Sequence, residues 1–138
     1  MKKVTVMMLL SVIVLTIACT AFAAVKDDKV DPLYLNTRRV SASLSIGDSG
    51  EAKCGGYVKA NNAQSSIKMT ITLYKKSGTR WSKVTSWSAS DTALILEINK
   101  TKQVSEGTYK VVLTGSVTNS EGKKESVTET SSIITYSK

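Results

Sequence analysis

Residues 74–87 bring together the groups whose types and spacing could do chemistry. Lys75, Lys76, Arg80 and Lys83 lie within a few positions of Tyr74, Trp81 and Trp87. Cations beside flat aromatic rings can hold an anionic polymer by charge, and the rings can stack on sugars. The same residues also suit an ordinary hairpin, in which tryptophans pack against a core while lysines solvate the turn and guard an edge strand. Reaction chemistry is less well provided for. The chain has no histidine, which removes the usual general base near neutral pH, the Ser-His and Cys-His nucleophile pairs and most zinc sites. Serine and lysine are so frequent that their proximity carries no signal, and Asp48, Glu51, Asp91, Glu97 and Glu106 form no catalytic motif. Asp27, Asp28 and Asp31 lack the glycine and closing glutamate of a calcium loop. The sequence therefore points away from an enzyme and offers no cofactor site; Asp48 and Glu51 beside a turn could touch a metal ion but read as ordinary solvated acids, so no metal is expected.

The elements that must position these residues are strands. Val40, Ala42, Leu44 and Ile46 alternate with serines, and Gly47-Asp48-Ser49-Gly50 supplies a turn into 51–60, where Ala52, Cys54, Gly56, Val58 and Ala60 share a side. Cys54 is expected to face inward as a small hydrophobe. Ile67, Met69, Ile71 and Leu73 alternate with Lys68, Thr70, Thr72 and Tyr74, and Ser77-Gly78-Thr79 turns the chain into 80–88. There Trp81 and Trp87 share a parity that Val84 breaks, which predicts a bulge or an edge position and one tryptophan turned outward. Leu94, Leu96 and Ile98 form the next alternation, followed by a polar crossing over 100–106. Tyr109, Val111, Leu113 and Val117 then line one face of a central strand, with Thr108, Lys110, Thr114 and Ser116 on the other. Asn119 to Lys123 closes the last hairpin, and 125–136 reads as one final strand of ambiguous facing, blunted as an edge by Glu129. No 3.6-residue period calls for a helix.

Met1, Lys2 and Lys3, the apolar run from Val4 to about Ala18 and the small residues Ala21, Ala23 and Ala24 make a secretory signal peptide over 1–23. The run is also long enough to be weighed as an anchor, and Cys19 as a lipidation site, although Thr16 stands where a lipoprotein signal usually has leucine. Cleavage would leave Cys54 as the one cysteine, no internal disulfide and no membrane span. Of the whole chain's formal charge of +8, about +6 would remain on a single domain of about 115 residues. That modest excess suits an anionic partner and equally suits plain solubility. Residues 24–39, with mixed charges and the sole proline, read as an extended arm whose Leu33-Tyr34-Leu35 could pin it to a sheet edge. The domain proper is then 40–138.

About seven short strands in roughly 100 residues predict an all-β, antiparallel two-sheet sandwich. Ser105-Glu106-Gly107-Thr108-Tyr109 resembles the tyrosine corner of immunoglobulin-like domains, and the resemblance implies that the Tyr109 hydroxyl bonds to backbone just upstream. Cys54 and Val111 fall where such domains carry their inter-sheet disulfide, and Met69 and Ile71 stand where they bury a tryptophan, so the antibody type is not matched. Taken from Val40 to Lys138, with Tyr74-Lys-Lys-Ser-Gly, the segment 81–88 and Gly107 to Val111, the chain resembles small secreted immunoglobulin-like proteins of Gram-positive bacteria. That resemblance implies a fold and an extracellular or cell-surface location, and little about activity. The function expected is a non-catalytic, monomeric binding module. Its partner would be an anionic cell-envelope polymer or a protein, not nucleic acid, met by Tyr74, Lys75, Lys76, Arg80, Trp81, Lys83 and Trp87. The alternative is a secreted effector, such as an enzyme inhibitor or a membrane-active antibacterial protein.

Overall fold

The computed structural model describes residues 34–138. The expected signal peptide, and the arm as far as residue 33, lie outside the described residues. Alternating apolar and polar side chains produce eight strands: β1 Thr37–Ile46, β2 Glu51–Ala60, β3 Ser66–Ser77, β4 Arg80–Thr92, β5 Ile95–Gln103, β6 Gly107–Thr118, β7 Lys124–Thr130 and β8 Ile134–Tyr136. They form two antiparallel sheets. One has the order β1-β2-β5; the other has the order β4-β3-β6-β7, with β8 also paired to β6. Among the described residues no helix is long and apolar enough to cross a membrane.

The apolar parities named above become the core. Ile67, Met69, Ile71 and Leu73 of β3 and Tyr109, Val111, Leu113 and Val117 of β6 are all buried, opposite Ala52, Cys54 and Val58 of β2. Burial of each large aliphatic side chain contributes about 1.5–3 kcal/mol relative to exposure. Gly56 sets the approach of the sheets at their centre: a Cβ there would run into the Cγ2 methyl of Ile71 and lie 3.1 Å from the sulfur of Met69. Burial pushes the Cys54 thiol up from its ordinary value of 9.0 to about 11, because a thiolate would lose its hydration.

Three expectations change in detail. The final strand is two, because a bulge falls at 131–133: Val112 pairs with Thr130, whereas Tyr109 pairs with Ile134. The Ser131 hydroxyl accepts from the Val111 N–H at 2.8 Å, standing in for the ladder carbonyl, and the Ser131 N–H donates to the Val111 carbonyl. Inward parity thus passes from odd to even, leaving Val127 and Tyr136 buried and Ile133 60% exposed. That switch is the source of the ambiguous facing. In the second case, the polar segment after Ile98 is not a crossing at first, since backbone pairing carries β5 on to Gln103. The third concerns the arm. Leu35 is 77% exposed and pins nothing, whereas Tyr34 packs against the core and its hydroxyl donates to the Thr128 carbonyl of the edge strand β7. The chain is held as well by the Glu125 carboxylate, which accepts from the Leu35 and Asn36 N–H groups and the Thr37 hydroxyl. Pairing accordingly begins at Thr37, before Val40, and is in regular register from Arg39.

The connection from β5 to β6 is fixed at Tyr109. Its ring is buried, and its hydroxyl donates to the Ser105 carbonyl at 2.7 Å. Gly107 lies between them at φ 151°, a backbone conformation that side chains disfavour.

Candidate functional site

The hairpin of β3 and β4 turns through Gly78 and Thr79 between the paired Ser77 and Arg80. Only Gly78 has positive φ, at 61°, as the first central position of a type II′ turn requires. Pairing then runs regularly from Ser77/Arg80 to Tyr74/Lys83, but Leu73 pairs with Thr85, so Val84 is an extra residue. This bulge decides the site. Trp87, opposite Ile71, points inward and packs against the core, whereas Trp81, opposite Lys76, points outward. Two tryptophans of equal parity in sequence therefore lie on opposite faces.

The structure brings Tyr74, Lys76, Trp81 and Lys83 together on the outer face and adds Lys110. Lys110 pairs with Tyr74 from the neighbouring β6, and its ammonium lies 4.4 Å from the centroid of the Trp81 ring. Tyr74 and Trp81 are half-buried and Lys76 and Lys83 exposed. Arg80 is exposed at the hairpin tip. Lys75 and Trp87 are not part of this cluster. Lys75 has the inward parity at the end of its strand, where its ammonium donates to Ser105 Oγ at 2.8 Å and lies 5.6 Å from the Tyr109 centroid. Its methylenes cross Gly107, where a Cβ would come within 2.6 Å of them. Lys75 thus covers the β5–β6 connection rather than a ligand surface.

Lys110 escaped sequence reasoning as a site residue, although its outward parity was legible. No local pattern in the sequence says that β6 pairs with β3, and only that pairing carries Lys110 to Trp81. The pairing also reveals a wider pattern. The outer positions of the described larger sheet carry Lys68, Lys76, Lys83, Lys110 and Lys124 and no carboxylate, with threonine and serine at most of the rest. At the centre of this face is a shallow depression of about 630 Å3 lined in part by Lys68, Thr70, Ser88 and Thr114. Thr70 and Ser88 share a hydrogen bond of 2.6 Å across it. Single-sign charge over hydroxyls and two aromatic rings can attract a polyanion from a distance and hold it by many weak contacts. Among the described residues no three carboxylate, cysteine or histidine side chains converge to hold a metal ion.

Neither a family model nor a curated protein matches the chain.

Proposed function

We propose that this chain is a secreted, non-catalytic binding module of the bacterial cell surface or extracellular space, and that it holds an anionic envelope polymer on the outer face of β3, β4 and β6. The observation that carries this reading is the single sign of that face: five lysines and no acid over the outer positions of β3, β4, β6 and β7. Exposed ion pairs are worth little singly, roughly 0–1 kcal/mol, so a polymer with repeating charges is the partner that gains most from a spread array. Trp81 and Tyr74 supply flat contacts among the cations.

We place the chain with immunoglobulin-like sandwiches, nearer the fibronectin-like than the antibody type. The bond from Tyr109 to Ser105 supports this, as does the strand order. An antibody constant domain keeps its fourth strand with the first, second and fifth, whereas here β4 extends the sheet of β3. Kinship with the small secreted proteins of Gram-positive bacteria, and export by a signal peptide, belong to the same proposal.

The test is co-sedimentation of the purified protein with Gram-positive cell envelopes across a salt series, beside Trp81→Ala/Lys110→Ala. Binding that weakens smoothly with salt, as charges are screened, and that drops in the variant supports this face. No co-sedimentation at low salt overturns it.

A further inference from the structure

The outer face of the three-stranded sheet holds a second feature, sharing no residue with the basic face. Register places Ser43, Gly55 and Asn99 side by side across the strands, with Ser41, Tyr57 and Glu97 as the next row. Gly55 lowers the surface in the middle. A Cβ there would run into Ser43 Oγ and lie 3.3 Å from Asn99 Oδ1, so the bare backbone lets these two side chains close in over the buried Gly55 and sink between β1 and β5. One depression of about 320 Å3 lies over Tyr57 and Gly55, and a second of about 300 Å3 continues toward Lys53 and Thr101; both are bounded by Ser43, Gly55 and Asn99. Each is at the low end of small-ligand sites, roughly 300–1,000 Å3. Joined end to end, they suit an extended ligand.

The lining chemistry narrows what that ligand is. Hydroxyls at Ser41 and Ser43 and the amide of Asn99 both donate and accept, and the Glu97 carboxylate accepts. Ser43, Glu97 and Asn99 are exposed, and among the described residues these four side chains are not taken up by a hydrogen bond or an ion pair within the protein. Tyr57 is half-buried and offers the aromatic surface, with the Arg39 guanidinium flanking it at 5.9 Å from the ring centroid. Glu97 turns away a polyanion, and Arg39 and Lys53 turn away a polycation. What fits is an uncharged chain with one flat apolar face for Tyr57 and hydroxyls along both edges for the walls.

We infer that the trough over Gly55 and Tyr57 binds a neutral oligosaccharide, with a sugar ring resting on Tyr57 and hydroxyls bonded by Ser43, Glu97 and Asn99. This site is separate from the polymer face, and either can fail without the other. The full chain is applied to an array of neutral hexasaccharides of glucose, mannose, galactose and N-acetylhexosamine, and any oligosaccharide bound is titrated into the 15N-labelled protein. The expected result is binding that is indifferent to salt, with chemical-shift changes confined to β1, β2 and β5. Tyr57→Ala and Asn99→Ala each weaken it by about tenfold or more. Gly55→Ala/Ser43→Ala puts a methyl close to where the Ser43 hydroxyl was, removing one bond to the ligand; it weakens binding with its circular dichroism unchanged. Lys83→Ala/Lys110→Ala binds as the parent does. Silence across the array, shift changes on β3, β4 and β6, or affinity that fades with salt overturns the inference.

Discussion

The two outer faces of the sandwich obey the same strand alternation and differ in how they spend it. On the larger sheet every charged outer position is lysine, so the face is open, of one sign and rich in hydroxyls. On the three-stranded sheet Arg39, Lys53 and Lys59 share the surface with Glu51 and Glu97, and one glycine replaces a central side chain. Field is a property of many residues added together, whereas shape here depends on one. The first face is suited to partners defined by charge and the second to partners defined by outline.

That contrast is sharpened first by the adjacent glycines of β2, which face opposite ways. Gly56→Ala drives a methyl into Ile71 between the sheets and is expected to cost about 1–3 kcal/mol by overpacking. Gly55→Ala meets the movable Ser43 hydroxyl and, at 3.3 Å, the exposed Asn99 amide, and should cost clearly less. Denaturant unfolding of the two variants checks this, and equal losses would mean that the outer trough is as tightly constrained as the core. The next effect falls on binding alone: Lys76→Glu/Lys110→Glu should weaken salt-sensitive envelope binding by at least about tenfold, on the order of 1.4 kcal/mol. Its affinity for a neutral oligosaccharide should not move. If both affinities fall together, the faces are not independent.

Smaller effects test the frame that holds both faces. Tyr109→Phe removes the bond to the Ser105 carbonyl at the connection joining the sheets and should cost about 1 kcal/mol. No loss of stability would mean that this bond contributes nothing to the corner. Cys54 lies on the inner side of the same strand as the trough, and its thiol is raised on folding. A raised pKa favours the neutral thiol in the folded state. The resulting stability is therefore complete below about pH 9 and is lost as pH rises toward 11. The stability curve of the parent should accordingly converge with or fall toward that of Cys54→Ala over this window, the tyrosine titrations being common to both. A native thiol that a reagent modifies as fast as the unfolded chain would contradict the burial behind it.

How much of this was legible in the sequence follows from the range of each interaction. Alternation over 67–73 and 109–117 was enough to assign strands and their buried sides, because a period of 2 is a local property. The break at Val84 announced the bulge, since it too is written in neighbouring residues. The switch at 131–133 was visible only as ambiguity, because the Ser131 hydroxyl that repairs the ladder acts on Val111, 20 positions away. The site divided along the same line. Tyr74, Lys76, Trp81 and Lys83 are close in sequence and remain so in space; Lys75 and Trp87 are equally close in sequence and turn the other way.

By itself, then, the sequence determined the strands before the last hairpin and most of their inward faces, the hairpin of Lys76 and Trp81 and the glycine two positions before Tyr109, all through local periodicity and turn chemistry. Tertiary structure alone decided which strands lie side by side. That choice carries Lys110 to Trp81, sets Ser43 and Asn99 on either side of Gly55, and brings Glu125 to Asn36 and Thr37. Strand order is settled by burial of both inner faces at once, a condition on the whole chain that no short stretch of it can express.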